Sequence, residues 1–352
     1  MLNTKQIQNK KAQNAKLFCN LEIRISELFS ISILVFSILT LAIPAYATVV
    51  GSTDDAMTIG GGARPIGMGR AHVAVAEDSD ACFINPAGLA SLKGPEAMAM
   101  NTNLLGEVYY YEVSGAVPTP NGTFGVGYIT TGVNDIPTTP IPSNYYDSMV
   151  TLTYATPLAN FLNYGNNVFV GANYKIFNRG YTGGITNTGT GVSADLGFKF
   201  VVNRHLSFGI NRQNILPVSM GGVIRLSGGA EESLAGITKI GAVIKPVPWP
   251  KLLIAIDADL PAQIGRALTE HVGFEWKENQ FVTLRAGFDQ SVDPATESKA
   301  SWNPAFGTSL TYGGLRVDYA YHPYYNDPSL ATSYVSLSYI GPSLFAMKGT
   351  VQ

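Results

Sequence analysis

Cysteine is scarce here. Cys19 and Cys82 are the only two in 352 residues, which excludes a scaffold held by several disulfides. Charge is scarce as well, at 14% of residues where about 25% is usual. The formal net charge of -2 excludes the basic footprint of a nucleic-acid-binding protein. The four histidines, His72, His205, His271 and His322, stand far apart, so no metal-ligand spacing exists and no metal site is expected. The glycine-rich stretch Gly60–Gly69 does not end in Gly-Lys-Ser/Thr, which removes a phosphate-binding loop. No nucleophile and base converge in sequence, so no catalytic residues and no cofactor are expected, and an enzyme is disfavoured.

What the chain does contain begins with export. Lys5, Lys10, Lys11, Lys16 and Arg24 precede an apolar core, Leu28–Ile43, followed by Ala45-Tyr46-Ala47. That core is shorter than the roughly 20 residues that span a bilayer as a helix. A basic start, an apolar centre and an A-x-A end make a signal peptide, residues 1–47, cleaved after Ala47. Cys19 precedes the apolar core and is no lipoprotein cysteine. Cys82, alone in the mature chain, reads as a small buried hydrophobe.

Glycine and aromatics are abundant, with 37 Gly, 18 Tyr and 16 Phe. After Gly94 the apolar residues recur with period two, as in 149–154, 192–200, 252–260, 272–276, 282–288, 315–321 and 334–339, which is the strand signal. One face carries Leu, Val, Phe, Tyr and Trp. The other carries Asp195, Lys199, Asp257, Asp259, His271, Glu275, Arg285, Asp289, Arg316 and Asp318 among Gly, Ser and Thr. Strands are predicted over 96–105, 107–117, 123–133, 147–157, 167–178, 190–202, 205–214, 234–247, 251–261, 268–277, 281–289, 305–312, 315–323 and 332–340. A weaker segment, 221–227, is left out of the count. The longer loops fall at Asn134–Asp147 and Gln290–Pro304.

A soluble sandwich also alternates. The number of segments and the export signal favour a membrane barrel. So do the aromatics near segment ends, Tyr109–Tyr111, Tyr145, Tyr146, Trp249, Trp276, Tyr324 and Tyr325, which fit interface girdles. The expected fold is all-β, a transmembrane antiparallel β-barrel of about 14 strands in the bacterial outer membrane. It would span residues 95–340, after a hatch at 48–94 and before a tail at 341–352.

The segment Gly60–Gly94 reads as that hatch. Asn85-Pro86-Ala87-Gly88-Leu89 is a tight turn in which Asn bonds local backbone, Pro fixes φ and Gly tolerates positive φ. Gly67 and Gly69 allow close packing. Arg64 and Arg70 would pair with Glu77, Asp78 and Asp80 or with wall charges. His271, Glu275, Arg285, Asp289, Arg316 and Asp318 would form a polar ladder across late strands inside the lumen.

This segment resembles the amino-terminal region of the PorV/PorQ-like outer-membrane proteins, relatives of the FadL-type hydrophobic-compound transporters. The matches are Gly62-Ala63-Arg64, Gly67-Met68-Gly69, Ala71, Val73–Ala76, Asp78 and Asn85-Pro86-Ala87-Gly88-Leu89-Ala90. Glu270–Trp276 with Leu284–Phe288, and Leu315–Tyr321 with Val335–Tyr339, resemble that family's late strands. The resemblance implies a fourteen-strand barrel with a hatch, set in outer-membrane lipid. It implies either transport of small hydrophobic or amphiphilic compounds or a PorV-like surface scaffold that binds exported proteins, as in type IX secretion.

Overall fold

The computed structural model describes residues 60–104, 106–161, 167–262, 266–292, 300–323 and 331–344. The signal peptide, Cys19, Tyr324, Tyr325 and residues 345–352 lie outside them. Sixteen strands are described: β1 (Glu96–Leu104), β2 (Val108–Thr119), β3 (Gly122–Ile136), β4 (Ser143–Pro157), β5 (Val168–Gly183), β6 (Asn187–Asn203), β7 (Leu206–Gln213), β8 (Val223–Leu226), β9 (Glu231–Ser233), β10 (Ile237–Ile244), β11 (Leu252–Pro261), β12 (Thr269–Lys277), β13 (Val282–Val292), β14 (Ala300–Tyr312), β15 (Leu315–His322) and β16 (Thr332–Ile340).

Fourteen of them close a ring in chain order, β1–β7 then β10–β16, with β16 pairing β1 and every contact antiparallel. Closure leaves no exposed sheet edge in the ring. The excluded segment 221–227 does form a strand. β8 pairs with the start of β6 through Gly189↔Leu226 and Thr190↔Arg225, and β9 pairs with β8. This hairpin extends the upper part of β6, beyond the end of β7, so the ring count stays at fourteen.

The loop expected at Asn134–Asp147 is shorter than the sequence suggested. β3 runs on to Ile136 across a register shift, and β4 resumes at Ser143. Strand pairing satisfies backbone groups that an irregular loop would leave to solvent, and it wins over the Pro and Thr content there. One side of the wall is tall. β4, β5 and β6 have 15, 16 and 17 residues, whereas β7 and β10 have 8 each.

Alternation sorts the side chains. Val126, Leu152, Tyr174, Leu284, Phe306, Val317 and Leu337 are exposed on the outer face, while Asp195, Asp257, Arg285, Asp289 and Asp318 are buried inside. Without a membrane that apolar exterior would face water along most of the ring, which soluble monomers avoid. β1 departs from that sorting, although Glu96 and Thr102 still point inward. Met98, Met100 and Leu104 point inward and are buried, and Ala97 and Ala99 point outward. The reason lies inside the barrel, where residues 60–94 give the inner wall an apolar partner. Phe83, Leu89, Cys82 and Ala63 join Met98, Met100, Ile129, Met149 and Phe177 in one buried cluster.

Candidate functional site

The inner segment folds as two short helices, α1 (Ala63–Gly67) and α2 (Ala81–Ile84), then a 3-10 turn over Pro86–Ser91. Such short helices leave most of their backbone groups unpaired, and the wall supplies the missing partners. Asp257 accepts from the amides of His72 (2.6 Å) and Val73 (2.7 Å). Lys199 donates to Ala76 O (2.7 Å), Asn173 to Cys82 O (2.8 Å), Asn211 to Ile84 O (2.7 Å) and Gln213 to Phe83 O (3.1 Å). The start of the motif is held in the same way. Gly62 N donates to Glu112 (3.3 Å) and Ala63 N to Ser336 (3.2 Å).

Asn85 ties the turn to the wall as well as to itself. Its side chain accepts from Ala87 N (3.2 Å) and donates to Val73 O (2.9 Å) and Phe198 O (3.1 Å). Pro86 opens the 3-10 turn that buries Ala87 and Leu89. The expectation for Gly88 needs correction, because it is absent from the positive-φ residues. What requires glycine there is close approach, since a Cβ would stand 2.3 Å from Ala76 O. At Gly69 both reasons hold: φ is 58°, and a Cβ would meet the Phe288 backbone at 2.5 Å. Gly67 and buried Met68 sit against the facing wall, at Gly307 and Gly273. The wall answers with glycines of its own on inward positions, among them Gly171, Gly197, Gly209 and Gly287, each against inner-segment backbone or the Asn85-Pro86 side chains.

The charges form one continuous net through the opposite wall. Arg64 pairs with Asp78 (2.9 Å), Glu275 (3.0 Å) and Glu77 (3.2 Å). Arg285 joins Glu275 (2.7 Å) to Asp318 (3.0 Å), and Arg316 joins Asp318 (2.7 Å) to Asp78 (3.3 Å). Four of the six ladder residues, Glu275, Arg285, Arg316 and Asp318, therefore meet in one network. His271 and Asp289 face each other in the β12–β13 register but take other partners. His271 lies 3.7 Å from Asp259, while Asp289 binds His322 (2.5 Å) and lies 3.6 Å from Arg70.

Burial opposes ionisation of Asp78, but Arg64 and Arg316 outweigh it and hold its carboxyl below the usual range. Burial pushes the His72 imidazole down to about 3, so it is neutral. Burial also pushes the Cys82 thiol up, which makes it an inert hydrophobe. The residues missed in the sequence are Asn173, Asn211, Gln213 and Glu112. Their one signal was inward position on a strand.

Between this floor and the loop-side rim lies a cavity of about 780 Å³. Pro65, Val73, Phe83 and Ile84 form its base. Val133, Met149, Phe177, Ile224 and Leu234 share one bank with Asp147, Lys175, Arg179, Asp195 and Glu232, and Lys239, Asp259, His271 and Gln290 line the other. Lys239 pairs with Asp259 within that second bank. Among the described residues no group of three or more His, Cys, Asp or Glu is placed to hold a metal.

A closed fourteen-strand antiparallel barrel with an apolar exterior, a charged interior and a segment packed in its lumen is an outer-membrane β-barrel. Its fold is that of the FadL-type barrels. A Pseudomonas aeruginosa FadL homologue superposes with a TM-score of 0.57 at 12% identity, over 83% of this chain and 100% of that one. The monoaromatic hydrocarbon channel CymD gives 0.56 at 11%, over 80% and 96%. The Pseudomonas putida toluene transporter TodX gives 0.51 at 13%, over 80% and 97%. At these identities the likeness is one of fold. No protein-family model matches the chain, and no curated protein matches it.

Proposed function

We propose that this protein passes small hydrophobic or amphiphilic compounds across the outer membrane, with residues 48–94 acting as the hatch, 95–340 as the barrel and 341–352 as a tail. The role is not enzymatic. The observation that carries the reading is the cavity of about 780 Å³ floored by the hatch, a volume within the usual range for small-ligand sites. Three barrels of this fold are described as a FadL homologue, a hydrocarbon channel and a toluene transporter, which supports the same class of solute. Uptake of a radiolabelled apolar solute into proteoliposomes tests it. Met149→Trp, which fills the cavity beside Val133 and Phe177, should lower the uptake rate about ten-fold, a loss equivalent to about 1.4 kcal/mol. Equal uptake by vesicles with and without the wild-type protein would end the proposal.

One observation favours a second reading, the PorV-like scaffold for exported proteins. The hatch meets the wall backbone to backbone at glycines such as Gly69 and Gly287, a contact suited to a sealed platform. Mild crosslinking in cells followed by purification separates the two. A scaffold brings down secreted proteins stoichiometrically, and a transporter does not.

A further inference from the structure

The wall of the cavity is layered. Along β4 and β5 the inward cross-strand pairs run, from the loop-side rim toward the hatch, Tyr145↔Tyr181, Asp147↔Arg179, Met149↔Phe177 and Thr151↔Lys175. Tyr145 and Tyr181 bring their rings to 5.0 Å. Arg179 pairs with Asp147 and, from the β8–β9 hairpin, with Glu232 (3.0 Å). Lys175 pairs with Asp195 (2.9 Å) and lies 5.7 Å from the Phe177 ring. Inward residues on one strand stand about 6.7 Å apart, so Met149 and Phe177 form a narrow apolar band with an ion pair above it and another below. A further ion pair, Lys239 with Asp259, faces the same cavity from β10 and β11.

The ion pairs are the open part of this lining. The side chains of Arg179, Lys239 and Asp259 are 19%, 16% and 17% exposed, whereas Phe177 is 3% exposed. Among the described residues the lining carries five carboxylates and five Lys or Arg, and each of those carboxylates has a cation at ion-pair distance. The lining therefore sums to zero, and a solute of either net charge loses hydration without a net attraction in return. A bare hydrocarbon strips water from the ion pairs and returns no hydrogen bond, which weakens binding about ten-fold for each group left unpaired. A hydroxyl fits beside an ion pair, because it donates toward the carboxylate and accepts from the ammonium or guanidinium at once.

We propose that the cavity selects compact uncharged solutes that carry hydroxyl groups, such as aryl alcohols and aryl glycosides, over hydrocarbons and over carboxylates. The ring of the solute lies against Tyr145 and Tyr181, and its hydroxyls bond an ion pair, Arg179 with Glu232 or Lys239 with Asp259. An extended alkyl chain is disfavoured, because a chain longer than the apolar band must lie on an ion pair. This inference rests on the reading of the cavity as the solute site and narrows its solute class.

Equilibrium dialysis of labelled phenyl glucoside against the full chain in detergent reads binding without uptake. The competitors are phenyl glucuronide, which adds a carboxylate, and toluene, which lacks the hydroxylated head. Each should need at least about a ten-fold higher concentration than unlabelled phenyl glucoside to displace the label. Asp259→Asn leaves Lys239 without its carboxylate and should cut the preference for glucoside over glucuronide at least about five-fold. Lys239→Gln should widen that preference, and it reads the same balance if Asp259→Asn does not fold. Displacement by toluene or by the glucuronide as readily as by the glucoside overturns the solute class, whatever the uptake assay gives, and so does an absence of saturable glucoside binding. A preference that neither variant moves overturns the charge-balance argument. Selective glucoside binding without protein-dependent glucoside uptake into proteoliposomes overturns transport and supports the solute class.

Discussion

Arg64 is held by three carboxylates, Asp78 and Glu275 where water hardly reaches and the half-exposed Glu77. Removing one member of a buried pair leaves the others uncompensated, at a cost of about 3–5 kcal/mol. Arg64→Met should therefore lower the temperature at which the compact gel band converts to the unfolded one. Arg64→Glu should lower it further and raise single-channel conductance by loosening the hatch. Unchanged midpoint and conductance would show that Arg64 does not hold it. Because the Asp78 carboxyl is held below its ordinary range, its contribution is present above about pH 3.9 and fades as the pH falls below that. Gly88 supplies a second test. A methyl there meets the Ala76 carbonyl, and overpacking of this kind costs about 1–3 kcal/mol. Gly88→Ala should lower the same midpoint, whereas Gly115→Ala, with only Glu96 O at 3.7 Å, should leave it in place.

At the scale of elements, the wall was legible because alternation is imposed by physics: lipid outside and a polar lumen inside. Leu315–His322 and residues 332–339 of the last strand alternate without interruption, and their segments were found almost to the residue. β8 showed only as the weak segment 221–227 and β9 not at all, since strands of four and three residues are too short to leave a clear period. α1 and α2, at five and four residues, fail for the same reason. The ladder was legible where charges share strand parity, as for Glu275 and Arg285. Its closure through Asp78 depends on tertiary approach that no local pattern carries. The β8–β9 hairpin is held by Arg179, which bridges Asp147 and Glu232. Glu232 is half exposed, so its pair contributes about 0–1 kcal/mol. Glu232→Gln should speed tryptic cleavage after Arg225 by no more than about five-fold. A far larger increase would mean that this single pair latches the hairpin.

For the whole molecule the question is whether the hatch is a removable plug or part of the core. The part of the inner wall that faces the hatch cluster is not built for water. Met98, Met100, Ile129, Met149 and Phe177 point inward and are buried against residues 60–94. Exposing five such side chains costs roughly 7–15 kcal/mol at about 1.5–3 kcal/mol each, as large as the net stability of an ordinary domain. Deletion would also strip Glu275 and Arg316 of Arg64 and Asp78, and Asp257 of the two amides it accepts. Removing residues 60–94 should therefore abolish the heat-modifiable band rather than create an open pore. A deletion variant that still migrates as a compact barrel and conducts ions freely would show the opposite: a wall that folds alone, with a hatch merely inserted into it. The inward glycines argue against that outcome. Gly171, Gly197, Gly209 and Gly287 each leave room for the inner segment, and a wall that folded without it would have no use for four inward gaps.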